Sequence, residues 1–373
     1  MSELMTPIPF RELMTWITTE YRRDGAVFGV HKPYKAGVKK LPIFGEAIET
    51  PFGPAAGPNT QLAQNIIAGY FAGARFFELK TVQTLDGEDL PVAKPCINAQ
   101  DECYNVEWST ELRVPEAYDE YVKAWFALKL LSREWGLGSP DGFIFNMSAG
   151  YNLEGIKSPA VQRFLDRMEN AEEDVKRIKA GLAPLYPAIE KMPIPARLSD
   201  NLTVSTMHGC PPDEVESIGR YFITERKYNT AIKLNPTLLG PERLRDILNT
   251  QLGYDVCVPD EAFGHDLKYN DGVAIIRNLA AAAETAGVAF GLKLTNTLET
   301  ANEKQNLPRS EGMVYMSGRS LHPISINLAE RLQQEFDGKL DIAFSAGVDT
   351  FNVADTLACG LRPITMSSDI LKP

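Results

Sequence analysis

Short hydrophobic runs that end in small or polar residues recur along the chain, and most are followed by a stretch whose apolar positions have helical spacing. Strands that alternate with helices in this way predict a parallel sheet covered by helices. Eight such units favour a (β/α)8 TIM barrel over an open sheet. The predicted strands are residues 51–56, 75–80, 143–148, 202–207, 230–235, 289–295, 341–346 and 363–367.

Two segments lie outside this repeat. Residues 1–50 contain a predicted helix at 10–21 and a predicted hairpin in LPIFGEAIETPF, which we place at the bottom of the barrel. Residues 51–373 form the barrel, with a long insertion at 82–142 that includes a predicted helix at 117–135. An insertion after the second strand lies on the carboxyl side, where barrel active sites are built. It is either a structural cap or a wall over the substrate.

Composition and charge narrow the class of protein. The 373 residues are 44% hydrophobic and 23% charged, as in ordinary globular proteins. A net charge of −11 would repel phosphate backbones, so we expect no nucleic-acid partner. No apolar run approaches the roughly 18–20 residues of a membrane helix, and the first thirty residues have no signal-peptide core. We therefore expect a soluble, cytoplasmic protein with no membrane partner.

Cysteines and histidines give little support for a metal site. Five scattered cysteines suit reduced thiols, whereas an iron–sulfur cluster normally takes four at tight spacing. The histidines are far apart in the sequence, so we expect no zinc site. These histidines are His31, His208, His265 and His322.

Three lysines stand near the ends of predicted strands. Lys80, Lys233 and Lys293 lie near the ends of the second, fifth and sixth runs, whose carboxyl ends share one mouth in a barrel. Inward lysines are costly unless an anion meets them, although each could instead sit in a buried ion pair. Together they predict a ligand that is negatively charged in two places, such as a flavin nucleotide.

A phosphate site is predicted beside the last two strands. Gly347 follows the seventh run, and Ser367 and Ser368 end the eighth. Loops after these two strands bind phosphate in many TIM barrels, through backbone N–H groups and hydroxyls. The alternative for the serines is the capping of a following helix.

Motifs distributed along the chain resemble the FMN barrel of the dihydroorotate/dihydropyrimidine dehydrogenase superfamily. More closely, they resemble the amino-terminal part of the selenate reductase subunit family, which comprises long flavin and iron–sulfur proteins found with purine-catabolic genes. The resemblance extends from about residue 5 to residue 373. Its motifs are TPFGPAAGP, FFELKTVQ, FNMSAGYN, STMHGCPPDEVE, IKLNPTLLG, LKLTNT, MSGRSLHPISI, SAGVDT and ITMSSDILKP.

The resemblance implies a set of FMN and substrate contacts. Lys233 would hold N1 and O2 of the flavin, where negative charge collects on reduction. Lys293 has no counterpart in the relatives and is included for its place at the mouth. The expected FMN-binding residues are Ala55, Ala56, Gly57, Lys80, Thr81, Asn146, Lys233, Lys293, Gly318, Gly347, Ser367 and Ser368. The expected substrate-binding residues are Asn152, Asn296 and Thr297.

Cys210 and Lys233 are the implied catalytic residues. In the relatives a loop cysteine exchanges a proton with the substrate carbon next to the one that exchanges hydride with flavin N5. A thiol suits that task, and the acidic neighbours Asp213 and Glu214 should raise its pKa. The alternatives are a buried, inert cysteine, or His208 in the same role.

The expected activity is flavin-dependent hydride transfer to or from a C=C or C=N bond of an N-heterocycle, a pyrimidine or an oxopurine. Pyrimidine-reducing relatives have an asparagine where this chain has Ser205, which puts pyrimidine specificity in doubt. Electrons would come from iron–sulfur and FAD modules of a larger protein. The alternatives are a Schiff-base lyase or aldolase that uses Lys233 or Lys293, and a non-catalytic barrel subunit.

The end of the chain also carries an expectation. Too few residues follow the eighth predicted strand to form an eighth covering helix. We therefore expect the chain to be a truncated piece of a longer protein. Homo-oligomerisation stays open.

Overall fold

The helices and strands alternate along most of the chain. The computed structural model describes residues 5–85, 95–100, 102–106, 112–206 and 208–372. The strands of these ranges are, in chain order, β1 (Leu41–Ile43), β2 (Glu46–Ile48), β3 (Phe52–Pro54), β4 (Phe76–Glu78), β5 (Ile97–Asn98), β6 (Cys103–Asn105), β7 (Ile144–Ala149), β8 (Asn201–Val204), β9 (Asn229–Leu234), β10 (Phe290–Leu294), β11 (Leu298–Ala301), β12 (Met313–Ser317), β13 (Ile342–Phe344) and β14 (Ile364–Met366).

Helices follow most of the strands. The α-helices of the same ranges are α1 (Phe10–Asp24), α2 (Ala63–Ala72), α3 (Val114–Glu134), α4 (Leu153–Ile156), α5 (Pro159–Glu169), α6 (Glu172–Leu182), α7 (Pro212–Thr224), α8 (Pro241–Arg245), α9 (Asp260–His265), α10 (Tyr269–Ala286), α11 (Leu321–Glu335), α12 (Val353–Ala358) and α13 (Ser368–Leu371). Shorter helical turns are Pro58–Gln61, Pro187–Lys191, Pro236–Leu239 and Asp246–Gln251.

Eight parallel strands form a nearly closed barrel. Their order is β3-β14-β13-β10-β9-β8-β7-β4, so β3 and β4 are its two ends. These ends also meet, because the Arg75 N–H donates a 2.8 Å hydrogen bond to the Phe52 carbonyl. A Cβ on Gly53 would lie 1.4 Å from the Phe76 carbonyl oxygen, so only glycine permits this approach. Each predicted strand overlaps one of these eight, which confirms the TIM-barrel prediction.

The amino-terminal extension closes the bottom of the barrel. The predicted helix is α1, and the predicted hairpin is the antiparallel pair β1–β2. Side chains of the hairpin and of four barrel strands form a small separate apolar cluster. Its members are Ile43, Phe44, Ile48, Phe76, Ile144, Ala231 and Ala343.

A second sheet stands at the carboxyl ends of the barrel strands, and the sequence pattern did not predict it. Its antiparallel order is β11-β12-β6-β5. Strands β5 and β6 belong to the insertion at 82–142, whereas β11 and β12 follow the sixth barrel strand. Strands β5 and β6 are so short that they have almost no periodic signal, and the partner strand β12 is far away in the sequence. The predicted helix of the insertion is α3.

None of the helices in the described ranges is both long enough and apolar enough to span a membrane.

Candidate functional site

A cavity opens at the carboxyl ends of the barrel strands. It has a volume of about 1200 Å³ when the space open to solvent at its mouth is included. Its walls come from loops that follow the barrel strands and from the second sheet. The predicted site residues that line it are Ala55, Ala56, Gly57, Lys80, Thr81, Lys233, Asn296, Thr297, Gly347, Ser367 and Ser368.

Lys80 and Lys233 give the cavity its positive charge. Burial lowers the pKa of Lys233 to about 8; Lys293 lowers it further, whereas Glu78 raises it. Burial and the neighbouring Lys233 likewise lower the pKa of Lys80 to about 8. Among the residues that the structure describes, Lys233 makes no side-chain hydrogen bond or ion pair. Two ammonium groups that repel one another in one cavity favour an anionic ligand.

Lys293 lies in a buried ion pair and does not line the cavity. Its ammonium donates hydrogen bonds to Glu78 and, at 2.6 Å, to the Thr365 hydroxyl. The side chains of Lys293 and Glu78 are only 1% and 7% exposed. The second carboxylate oxygen of Glu78 accepts a 3.2 Å hydrogen bond from the Ala56 N–H. The ion-pair alternative therefore describes Lys293, which fixes Glu78 in the lining of the cavity.

The predicted phosphate end contains closely packed backbone and several hydroxyls. Gly347 has φ +56°, and a Cβ there would lie 2.1 Å from the Gly318 carbonyl oxygen. Gly318 contacts the site through this carbonyl and is not itself part of the lining. The hydroxyls of Ser317 and Ser368 are 3.1 Å apart, and both residues line the cavity. Ser367 precedes α13 but makes no capping hydrogen bond through its side chain.

Asn146 and Asn152 lie outside the cavity lining. The Asn146 amide donates a 2.8 Å hydrogen bond to the Thr203 hydroxyl on the neighbouring barrel strand. Asn152 caps α4, where its side-chain oxygen accepts a 2.7 Å hydrogen bond from the Gly155 N–H. It borders a separate shallow groove together with Glu214. Both amides have structural hydrogen bonds that the strand pattern could not show.

Cys210 is buried behind the cavity wall. It is 8% exposed, and its thiol hydrogen-bonds to the side chain of Thr206, a residue that lines the cavity. Burial, Glu214 and Asp213 raise the pKa of Cys210 to about 11, against the opposite effect of Thr206. The thiol is therefore protonated at neutral pH, in the direction that its acidic neighbours predicted.

His208 lines the cavity and is oriented by a buried aspartate. Its Nδ1 lies 3.1 Å from one carboxylate oxygen of Asp266. The same carboxylate accepts hydrogen bonds from the Thr237 hydroxyl at 2.6 Å and from the Gly209 N–H at 3.2 Å. Burial alone would raise the pKa of Asp266, but His208 and these donors hold it below its ordinary value.

Two of the histidines that are far apart in the sequence lie close together in the structure. His208, His265 and Glu299 bring their potential ligand atoms within 4.8 Å of one another. Sequence reasoning missed His265, Asp266 and Glu299, because they come from the end of a short helix and from a strand of the unpredicted sheet. The sequence has no motif with metal-ligand spacing that could have revealed them.

The second sheet forms one wall of the cavity. Ile97, Cys103 and Asn105 of the insertion line it, as do Tyr315 and Ser317 of β12. The insertion is therefore a wall of the candidate site in addition to any structural role.

An eight-stranded parallel barrel with an anion-attracting cavity at the carboxyl ends of its strands is the architecture of the TIM-barrel enzymes. The family profile described as "Oxidoreductase YgfK, N-terminal TIM-barrel domain" matches residues 28–373. The chain belongs to this family.

Individual relatives agree with this assignment. The chain is 46% identical over 399 residues to proteins named as the oxidoreductase YgfK in Escherichia coli K12 and in E. coli O157:H7. The match covers the whole chain but only 38% of each relative.

Solved structures share the fold. A DHODH from Eimeria tenella in complex with ferulenol superposes with a TM-score of 0.54 at 14% identity, covering 98% of this chain and 87% of that one. The ligand-free form gives 0.51 at 15% identity, covering 96% and 89%. At such identities the likeness concerns the fold alone.

Proposed function

We propose that this chain is an FMN-dependent oxidoreductase barrel that transfers hydride to or from a C=C or C=N bond of an N-heterocycle. The observation that supports it most is the cavity itself. Lys80 and Lys233, each with a pKa of about 8, share the cavity with glycine and serine residues after the last two barrel strands. This arrangement suits a ligand with one anionic group at each end.

The residues of the cavity fit FMN. The backbone of Gly347 and the hydroxyls of Ser367 and Ser368 would hold the phosphate. The backbone packs so closely at Gly347 that there is no room for a Cβ there. The small residues 55–57 would lie against the flat ring. Lys233 would hold the ring edge that becomes negative on reduction. Bound FMN would supply hydride exchange at N5, which no side chain can supply.

Proton transfer is proposed for Cys210, acting through Thr206. The protonated thiol hydrogen-bonds to a hydroxyl that reaches the cavity, so a proton can pass from sulfur to the Thr206 oxygen as that oxygen releases its own. His208 lines the cavity directly and is the second candidate for this role.

Uncharged polar residues of the lining would bind the substrate. Asn296, Thr297 and Asn105 offer amide and hydroxyl groups that can pair with the ring nitrogens and carbonyls of an N-heterocycle. We propose a pyrimidine or an oxopurine. We further propose that iron–sulfur clusters and FAD outside this chain exchange electrons with the barrel; the match to the relatives covers only 38% of their length.

Reconstitution with FMN tests the cofactor. We expect the purified chain to bind one equivalent of FMN, measured by absorption and by quenching of flavin fluorescence. Lys233→Met should weaken this binding about ten- to a hundredfold, because a charged hydrogen bond is lost. Lys339→Met, which removes an exposed lysine paired with Asp337, is the matched control. A chain that takes up no FMN would refute the proposal.

Flavin reoxidation tests the substrate and the proton donor. The FMN-loaded chain is reduced anaerobically and mixed in turn with candidate pyrimidines and oxopurines. We expect one class to reoxidise it, and Cys210→Ser to slow that step while FMN affinity is retained. Cys359→Ser, at an exposed cysteine, is the control. An unchanged rate in Cys210→Ser would remove this thiol from the reaction and direct attention to His208.

The lysines also support a second candidate function. An amine with a pKa of about 8 beside another cation is the environment that activates Schiff-base lysines. A carbonyl substrate would then become covalently attached to Lys233 on treatment with borohydride. Mass spectrometry would detect the adduct, and Lys233→Met would abolish it. Adduct formation by a chain that binds no flavin would favour a lyase or aldolase.

A further inference from the structure

Three side chains at the edge of the cavity converge on one point. His208 lies in the loop after β8, His265 ends α9, and Glu299 is in β11. Each offers one potential ligand atom, and these atoms all lie within 4.8 Å of one another. The His265 Nε2 is already 3.0 Å from one oxygen of Glu299. Ligands of a tetrahedral zinc ion lie about 3.4 Å apart, given metal–ligand bonds of about 2.1 Å, so small movements would complete the site.

Asp266 fixes the orientation of the His208 ring. An ionised carboxylate can only accept hydrogen bonds, so the Nδ1 atom that faces it carries the ring proton. In this orientation Nε2 is the ring nitrogen that can offer a lone pair to a metal ion. Thr237 and the Gly209 N–H hold Asp266 in place from two other sides. A carboxylate behind a histidine ligand is the usual support of a metal-binding imidazole.

The donor atoms select the kind of ion. Two imidazole nitrogens and one carboxylate oxygen suit Zn²⁺ and similar transition-metal ions, whereas Ca²⁺ and Mg²⁺ prefer oxygen ligands throughout. Two carboxylates, those of Glu299 and Asp266, also lie beside the two imidazole rings, which suits a divalent cation. His265 is 40% exposed at the end of a short helix, which gives an ion a path from solvent.

We propose that His208, His265 and Glu299 form a binding site for a divalent transition-metal ion of the zinc type, with Asp266 as a positioning residue. Three protein ligands leave a coordination position for water or for a ligand atom. His208 and Tyr315, whose rings are 5.2 Å apart, both line the cavity, so the ion belongs to the wall of the candidate active site. The site requires no flavin, and its test is independent of the proposed function.

Metal titration tests the proposal. The full 373-residue chain is stripped with a chelator and titrated with Zn²⁺ by calorimetry, and with Co²⁺ as a visible-absorption probe. We expect one equivalent to bind, with the intense visible bands of four-coordinate Co²⁺, and no comparable binding of Mg²⁺. His265→Gln and Glu299→Gln should each weaken binding at least tenfold. Asp266→Asn should weaken it about ten- to a hundredfold and keep the stoichiometry.

The controls separate loss of a ligand from loss of the fold. His31→Gln removes an exposed histidine outside the cluster and should bind as the unmodified chain does. Because His265 is exposed, His265→Gln should keep the circular dichroism and melting temperature of the metal-free chain. Two results would overturn the proposal: no saturable Zn²⁺ binding by the stripped chain, or equal affinity in the His265→Gln/Glu299→Gln double variant.

Discussion

The stability of the barrel interior should be most sensitive to a substitution that breaks the ion pair between Lys293 and Glu78. The strand order places β4 and β10 on opposite sides of the barrel, so the pair spans its interior. Glu78→Gln keeps the shape and the hydrogen bond from Ala56 but removes the charge opposite Lys293. The ammonium then retains its hydrogen bond to the neutral Thr365 hydroxyl. Breaking a buried pair in this way costs about 3–5 kcal/mol.

The destabilisation caused by Glu78→Gln should depend on pH. Lys293 can escape its unpaired charge by losing its proton, and burial already lowers its pKa. At pH 7, deprotonation costs about 5 kcal/mol for an amine with an ordinary pKa near 10.5. Each pH unit gained lowers this cost by about 1.4 kcal/mol. The destabilisation should therefore shrink as the pH rises, to about 2 kcal/mol at pH 9.

Thermal unfolding measures this effect. With about 2.1 cal/mol/K of unfolding entropy per residue, a loss of 3–5 kcal/mol in 373 residues lowers the melting temperature by about 4–6 °C. Glu172→Gln removes the same charge from an exposed pair with Lys176 and should cost less than about 0.5 kcal/mol. A second change, Lys293→Met, should recover most of the loss. A Glu78→Gln melting temperature within 1 °C of the unmodified chain, at both pH values, would refute this reasoning.

Three further predictions concern the ligand and the fold. FMN affinity should fall above about pH 8, because Lys80 and Lys233, with pKa values of about 8, lose the protons that attract an anion; a flat fluorescence-titration profile would contradict this. Gly347→Ala should weaken FMN binding about tenfold or more, because its Cβ meets a backbone carbonyl, whereas Gly312→Ala in open space should not. Arg75→Met should lower stability by about 3–5 kcal/mol in urea unfolding, because it leaves a buried carboxylate unpaired.

The repeat of strands and helices, and the barrel it forms, were predictable from the sequence. Their signals are local: apolar periodicity identifies each strand, and its position in the chain assigns its carboxyl end to a common mouth. This is why Lys80, Lys233, Gly347 and Ser367 could be placed at one site before the fold was known. The motifs at the strand ends supported the same prediction.

The partners of these side chains depend on the closed barrel and on the second sheet. Lys293 and Lys233 are neighbours in the register of β9 and β10, yet only Lys233 lines the cavity. Lys293 instead meets Glu78, 215 positions away in the sequence. Likewise, His208 and His265 are brought together by loops with no shared pattern. Periodicity indicates which face a residue occupies, but only the three-dimensional path of the chain decides what stands opposite it.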